Sequence, residues 1–135
     1  MGCTQIAHSI KLAIDKMAKL SNKQIEEKAI AFIKSKYKNA KLTKKGSGYD
    51  LQIGNKIVEV KGTTKGNYKQ NIFLSRPPEH KAFNDYGKRY WLYRVFNVGK
   101  PNIKLIKIPR KDLRAKPDPR WRITIKGSFI KKKGG

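Results

Sequence analysis

Acidic side chains are scarce in this chain of 135 residues. Nine Asp and Glu stand against 33 Lys and Arg, which gives a formal net charge of +24. Self-repulsion of this size opposes a compact fold. Lys-rich surfaces of thermophile proteins normally carry Glu as well, so the composition does not match that class. The imbalance favours a polyanionic partner, and nucleic acid is the commonest one. An anionic membrane surface is the minor alternative.

Cysteine, histidine and long apolar runs are also scarce. The single cysteine, Cys3, excludes an intrachain disulfide and fits a reducing environment. His8 and His80 are the two histidines, and their separation argues against a zinc site. Charges interrupt residues 1–20, and no apolar run reaches the roughly 18 residues of a membrane-spanning helix. We therefore expect an intracellular protein, cytoplasmic or nucleoid-associated, with no membrane partner.

Periodicity predicts one α/β domain with a mixed β-sheet flanked by helices. Residues 1–21 contain an amphipathic helix with apolar positions from Ile6 to Leu20. Ser21 and Gln24 form a capping box that begins a second helix. Pro77 and Pro78 open a further helix over 79–86. Strands are predicted at 50–53, 56–61, 71–75, 90–98, 103–108 and 121–125, with a polar loop at 41–47 and a frayed basic tail at 131–135. The predicted domains are an N-terminal helix (1–21), a core (22–116) and a basic C-terminal extension (117–135).

Two of the scarce carboxylates lie in a predicted β-hairpin. If Gly54 and Asn55 form its two-residue turn, Asp50 faces Glu59 across the strands. Directly opposed side chains share one face, and Lys61 projects from the same face as Glu59. Two carboxylates and an ammonium at this spacing suit Mg²⁺ and phosphate chemistry. A buried ion cluster, or exposed strand residues without function, would give the same spacing.

Several motifs resemble a known nuclease-like family. Asp50 followed by Glu59-Val60-Lys61 resembles the core motif of the PD-(D/E)XK superfamily, although Tyr49 stands where the superfamily has its Pro. The family at the C-terminus of the plant protein NO VEIN is more closely similar. The resemblance spans about residues 22–113, and it rests on the stretches GYD (48–50), VEVKGT (58–63), IFLS (72–75), YWLY (90–93) and NVG (97–99). Relatives tend to carry an acidic residue where this chain has Lys88.

The resemblance implies a restriction-endonuclease-like core that hydrolyses DNA phosphodiester bonds with Mg²⁺, for which Mn²⁺ is expected to substitute. It implies Asp50 and Glu59 as metal ligands and Lys61 as a catalytic residue. The family also places a Glu on the first helix of the fold. Glu26 is preferred as the third acidic ligand, since it lies beside the apolar stripe, and Glu27 is the alternative.

Loop cations near this centre are the predicted phosphate contacts, although any Lys in so basic a chain can simply be solvated. They are Lys44, Lys45, Lys65, Lys69 and Arg76. The predicted function is a DNA endonuclease, structure-selective for junctions or branches or else dependent on a partner, with RNA left open. The rival is a non-catalytic nucleic-acid-binding module on the same fold. Residues 6–20 either form a homodimer contact or cover the protein's own sheet.

Overall fold

The computed structural model describes residues 19–132. The predicted N-terminal amphipathic helix falls almost entirely on residues 1–18, and it therefore lies outside the described residues together with residues 133–135 of the predicted tail. None of the helices within 19–132 is long and apolar enough to cross a membrane.

Three helices and eight strands make up the described chain, with short 3₁₀ turns at Gly87–Arg89 and Arg110–Asp112. In chain order they are α1 (Asn22–Lys36), β1 (Ala40–Leu42), β2 (Leu51–Ile53), β3 (Lys56–Gly62), β4 (Ile72–Phe73), α2 (Pro77–Asp85), β5 (Tyr90–Phe96), β6 (Lys104–Pro109), β7 (Leu113–Lys116), β8 (Arg122–Ile125) and α3 (Gly127–Lys132).

The central sheet has five strands in the order β1-β2-β3-β5-β6. β3 and β5 run parallel, whereas the other neighbouring pairs are antiparallel. The predicted α/β class with a mixed sheet and flanking helices is confirmed. Both faces of β3 are buried, because Val58 and Val60 belong to one core cluster and Ile57 belongs to another.

Helix α1 covers one face of the central sheet. The predicted capping box is present, since the Ser21 side chain accepts from Gln24 N at 3.1 Å and Ser21 N donates to Gln24 Oε1 at 2.9 Å. Ala29 and Ile33 are fully buried in the cluster that includes Val58 and Val60. The apolar stripe of α1 therefore fixes the helix over β3.

A second sheet and α2 cover the opposite face. β4, β8 and β7 form this three-stranded sheet in that order. Ile72 and Ile123 pack with Phe83 of α2 in the second core cluster. β8 and the buried Phe129 of α3 both come from the segment 117–135, so this segment supplies the middle strand of the sheet and a core side chain.

Three elements differ from the sequence-based expectations. β1 lies at the start of the predicted loop 41–47, because Ala40–Leu42 pairs with β2. Three residues are too few for an alternation of apolar and polar side chains to be visible in the sequence. β7 was not predicted. α3 replaces the start of the predicted frayed tail, since Phe129 holds that turn of helix against the core at 6% exposure.

Candidate active site

The β2–β3 hairpin positions the first carboxylate. Its register pairs Leu51 with Val58, as predicted from the Gly54-Asn55 turn. The ladder ends at Leu51, so Asp50 is held by two other hydrogen bonds. Asp50 N donates to Val58 O at 3.0 Å, and Asp50 Oδ2 accepts from Val60 N at 2.8 Å. Asp50 is therefore fixed beside β3 at the position of Glu59.

Glu59 is a buried carboxylate with little to compensate for the loss of solvent. It is 4% exposed, although Glu is almost never buried without a partner. Lys61 Nζ lies 3.7 Å from Glu59 Oε1, and Glu59 Oε2 has no hydrogen-bond partner in the described part of the chain. Burial raises the pKa of Glu59 well above its ordinary value, and the negative charge of Asp50 raises it further, while Lys61 partly opposes both.

Close packing of α1 on β3 brings Glu26 to the same place. A Cβ on Gly62 would lie 3.0 Å from both Ala29 Cβ and Ile25 Cγ2, so the absence of a side chain on Gly62 lets the helix pack this closely. Glu26 is solvent-exposed as a residue, yet its pKa is raised by partial desolvation and then by the charge of Asp50 and a hydrogen bond with it. The Glu26 and Asp50 carboxyl groups are thus neighbours.

Glu26 and Lys61 line an open cleft of about 330 Å³, called here the carboxylate cleft. The other residues that line it are Asn22, Ile25, Val60, Gly62 and Ser75. Glu27, the alternative to Glu26, is exposed on α1 and does not line this cleft. The geometry therefore associates Glu26, rather than Glu27, with Asp50 and Lys61.

A fourth carboxylate, Glu79, was missed by sequence reasoning. It lies in the first turn of α2 and is 7% exposed, with Oε1 at 2.9 Å from Arg76 Nε and Oε2 without a partner. Its negative charge contributes to the raised pKa values of both Glu26 and Glu59. An acidic residue after two prolines is the ordinary composition of a helix start, so the sequence carried no signal for it.

Gly48 explains how Glu79 reaches the site. Gly48 has φ +87°, and a Cβ there would lie 2.1 Å from Pro78 O. The loop before Asp50 therefore packs directly on the first turn of α2. Tyr90 is near the same carboxylates, since the charges of Glu59, Asp50 and Glu79 all act on its hydroxyl. Its hydroxyl is buried without a partner, and its pKa is raised by burial and then by the charge of Glu59.

The predicted phosphate contacts lie in two kinds of position. Arg76 is close to the carboxylates, since the charges of Glu79, Glu59 and Asp50 all raise its pKa, and 60% of its side chain is exposed. The four predicted lysines are exposed on loops, and none of them lines the carboxylate cleft: Lys44, Lys45, Lys65 and Lys69.

The fit of a metal ion depends on these carboxylates. Within residues 19–132, Asp, Glu, His and Cys form no group of three or more that is already arranged to hold a metal ion. The donor chemistry nevertheless suits a hard cation, because Glu59 Oε2 is a buried acceptor without a donor among residues 19–132, and the negative charge of Asp50 acts on both Glu59 and Glu26.

Comparison with known proteins identifies the family. The family model for "Protein NO VEIN, C-terminal" matches residues 14–108, which is more than half of the chain. The chain belongs to this NO VEIN C-terminal family. The matched range includes every residue that lines the carboxylate cleft, as well as Asp50, Glu59 and Glu79, and it ends before β7 and β8. No curated protein shows a significant match, and no solved structure does either.

Proposed function

We propose that this protein is a metal-dependent endonuclease that hydrolyses phosphodiester bonds in DNA. The observation that carries the proposal is the crowding of carboxylates at a cleft in a chain of net charge +24. Acidic residues repel phosphate, so a cluster of carboxylates is unexpected in a protein that attracts polyanions. A metal cation bound between the carboxylates and the phosphate would account for the cluster. Family membership and the nearby Lys61 also support it.

Asp50, Glu59 and Glu26 would hold Mg²⁺, with Mn²⁺ as a substitute. The ion would polarise the phosphodiester and lower the pKa of the attacking water. Asp50 is already oriented by Val60 N, and Glu59 supplies an acceptor atom that no donor of the described residues uses. Lys61 Nζ, 3.7 Å from Glu59 Oε1, would donate to a phosphate oxygen or orient the water.

Arg76 would add a second cationic side chain, besides Lys61, near the carboxylates. In the described contacts, Glu79 binds only the Nε atom of Arg76. The terminal guanidinium nitrogens remain available to a phosphate, for which the planar fork of Arg is well suited. Exposed loop lysines would bind the flanking phosphates without reading sequence. DNA is the proposed substrate, RNA stays an alternative, and selectivity for branched DNA is part of the proposal.

A non-catalytic nucleic-acid-binding module is the second candidate. One observation favours it, namely that no group of three potential ligands in residues 19–132 is arranged for a metal ion. A cleavage assay with linear, branched and single-stranded substrates, with Mg²⁺ and with EDTA, separates the two candidates. The endonuclease proposal requires Mg²⁺-dependent products from at least one substrate.

Asp50→Ala is the variant that tests the site. We expect it to abolish cleavage and to keep most of the DNA affinity, because the carboxylates serve the chemistry and the distributed cations serve binding. Glu27→Ala is the matched control, since Glu27 is an exposed carboxylate on α1 outside the cleft. Cleavage by Asp50→Ala at the wild-type rate would place the active centre elsewhere.

A homodimer is proposed for cutting both strands of a duplex. Two centres related by a two-fold axis match the symmetry of antiparallel strands. The predicted contact, residues 6–20, falls almost entirely outside the described residues, so it stays a prediction. Sedimentation at micromolar concentration, with and without DNA, tests it, and a monomer under both conditions would leave a nicking or partner-dependent enzyme.

A further inference from the structure

The outer face of the second sheet is basic. In this sheet Arg122 of β8 pairs with Phe73 of β4 on one side and with Lys116 of β7 on the other, and Arg114 pairs with Thr124. Cross-strand partners point to the same side, as do residues two apart on a strand. These five residues therefore share one face. The intervening residues face the other way into the core: Ile72, Ile123 and Leu113 are buried, and Ala115 and Ile125 pack against them.

Arg120, which precedes β8, lies over the same face. Its guanidinium carbon is 4.0 Å from the centroid of the Phe73 ring. We define the basic sheet face as Phe73, Arg114, Lys116, Arg120, Arg122 and Thr124. It contains four cations and no acidic residue.

Two features of this face are unfavourable within the part of the chain that the structure describes. Lys116 stands directly opposite Arg122, and like charges in opposed positions destabilise a sheet. Arg122 Nε is buried and has no hydrogen-bond partner among residues 19–132. A buried donor without an acceptor also costs free energy. The arrangement is unfavourable in the isolated protein, and anionic oxygens from outside would relieve both costs.

Phe73 and Arg120 form a platform for a base. Unpaired bases stack on aromatic rings and on guanidinium planes. The Arg120 guanidinium lies over the Phe73 ring, so the pair offers a base the outer face of the guanidinium, with the ring supporting it from behind. A cavity of about 270 Å³ opens beside them and is also lined by Trp121 and Ser75. Ser75 lines the carboxylate cleft as well, so the basic sheet face and the cleft adjoin through this residue.

We propose that the basic sheet face binds an unpaired nucleic-acid strand, with its phosphates on Arg114, Lys116 and Arg122 and a base stacked on the Arg120 guanidinium, which Phe73 supports. An unpaired strand fits better than a duplex, because bases inside a duplex are already stacked and their faces are not available. Only the placement of a neighbouring phosphate in the carboxylate cleft rests on the proposed nuclease function. The enzyme would then prefer substrates with a single-stranded segment beside the cut.

Fluorescence anisotropy with the full chain in EDTA tests this surface without cleavage. The probes are a labelled oligothymidylate of about 12 nucleotides, within the site sizes of single-strand binders, and a labelled hairpin duplex. The double variant Lys116→Gln, Arg122→Gln removes two charges from the face. The control, Lys28→Gln with Lys38→Gln, removes two exposed charges from α1 and the turn after it, on the other side of the central sheet.

The charge-removing variants and the stacking variant are expected to affect oligothymidylate binding differently. Loss of two phosphate contacts should lower the slope of log affinity against log salt by about 1.4 for the oligothymidylate, whereas the control pair should change it less. Phe73→Ala should lower that affinity about tenfold and leave the salt slope unchanged, because stacking is not ionic. Both effects should be smaller on the hairpin duplex. Thermal melting of each variant checks that it is folded.

Two results would overturn the proposal. One is equal loss of oligothymidylate affinity in the sheet-face pair and in the control pair. The other is an equal loss on duplex and single strand, which would make the face a general phosphate surface. Neither depends on cleavage. A chain that binds the strand through this face and never cuts would refute the nuclease function alone.

Discussion

Glu59→Gln should make the protein more stable near neutral pH in the absence of metal. Glu59 is 4% exposed, its Oε2 has no partner, and its pKa is raised well above the ordinary value of 4.5. In the unfolded chain the group ionises near that ordinary value, whereas the fold favours the protonated form. Folding therefore loses stability as the pH rises from the unfolded pKa toward the folded pKa.

The size of the effect has an upper bound. Each pH unit between the two pKa values costs about 1.4 kcal/mol, so the loss between pH 4.5 and pH 7 is at most about 3 kcal/mol. A desolvated polar atom without a partner gives a similar figure of about 1–3 kcal/mol. Gln is close to the protonated acid in shape and carries no charge. We therefore expect a gain of about 1–3 kcal/mol at pH 7 and almost none at pH 4.

Urea unfolding in EDTA at a series of pH values measures this difference. Glu27→Gln is the matched control, since it removes an exposed carboxylate from α1 and should show no comparable gain. The reasoning would be refuted if the stability difference between Glu59→Gln and wild type were the same at pH 4 and at pH 7. A Glu59→Gln protein that is less stable than wild type at pH 7 would also refute it. Mg²⁺ added at pH 7 should raise the stability of wild type more than that of Glu59→Gln, since a ligand that binds the folded state stabilises it.

Three further predictions concern packing, charge and salt. Gly48→Ala should lose more than about 3 kcal/mol or fail to fold, because φ is +87° and the new Cβ would lie 2.1 Å from Pro78 O; a wild-type urea midpoint would contradict this. Lys116→Glu would place a negative charge opposite Arg122, so it should stabilise the free protein by about 0.2–1 kcal/mol and weaken oligothymidylate binding. Lys116→Gln is the control, and tighter binding by Lys116→Glu would be inconsistent with an anionic ligand on this face. Duplex affinity should fall with a log–log salt slope of about −0.9 per phosphate contacted, and a salt-independent affinity would exclude backbone-led binding.

Local patterns determined much of the fold. Ser21 and Gln24 predicted the start of α1, and Gly54-Asn55 predicted the β2–β3 register, because capping boxes and two-residue turns depend on residues near in sequence. The placement of Asp50 and Glu59 together followed from that register. β1, β7 and α3 were not predicted, since each is short and depends on distant partners for its hydrogen bonds or its burial.

The sequence by itself determined that the chain is strongly basic, that it forms an α/β domain and that Asp50, Glu59 and Lys61 lie on one hairpin. The tertiary structure alone brought Glu79 to the site, through the contact of Gly48 with the first turn of α2. It also decided which strands form the second sheet, and so assembled the basic sheet face from β4, β7 and β8. The physical reason is range: turns and caps are set by adjacent residues, whereas a site built from three strands or two helices exists only once the chain has packed.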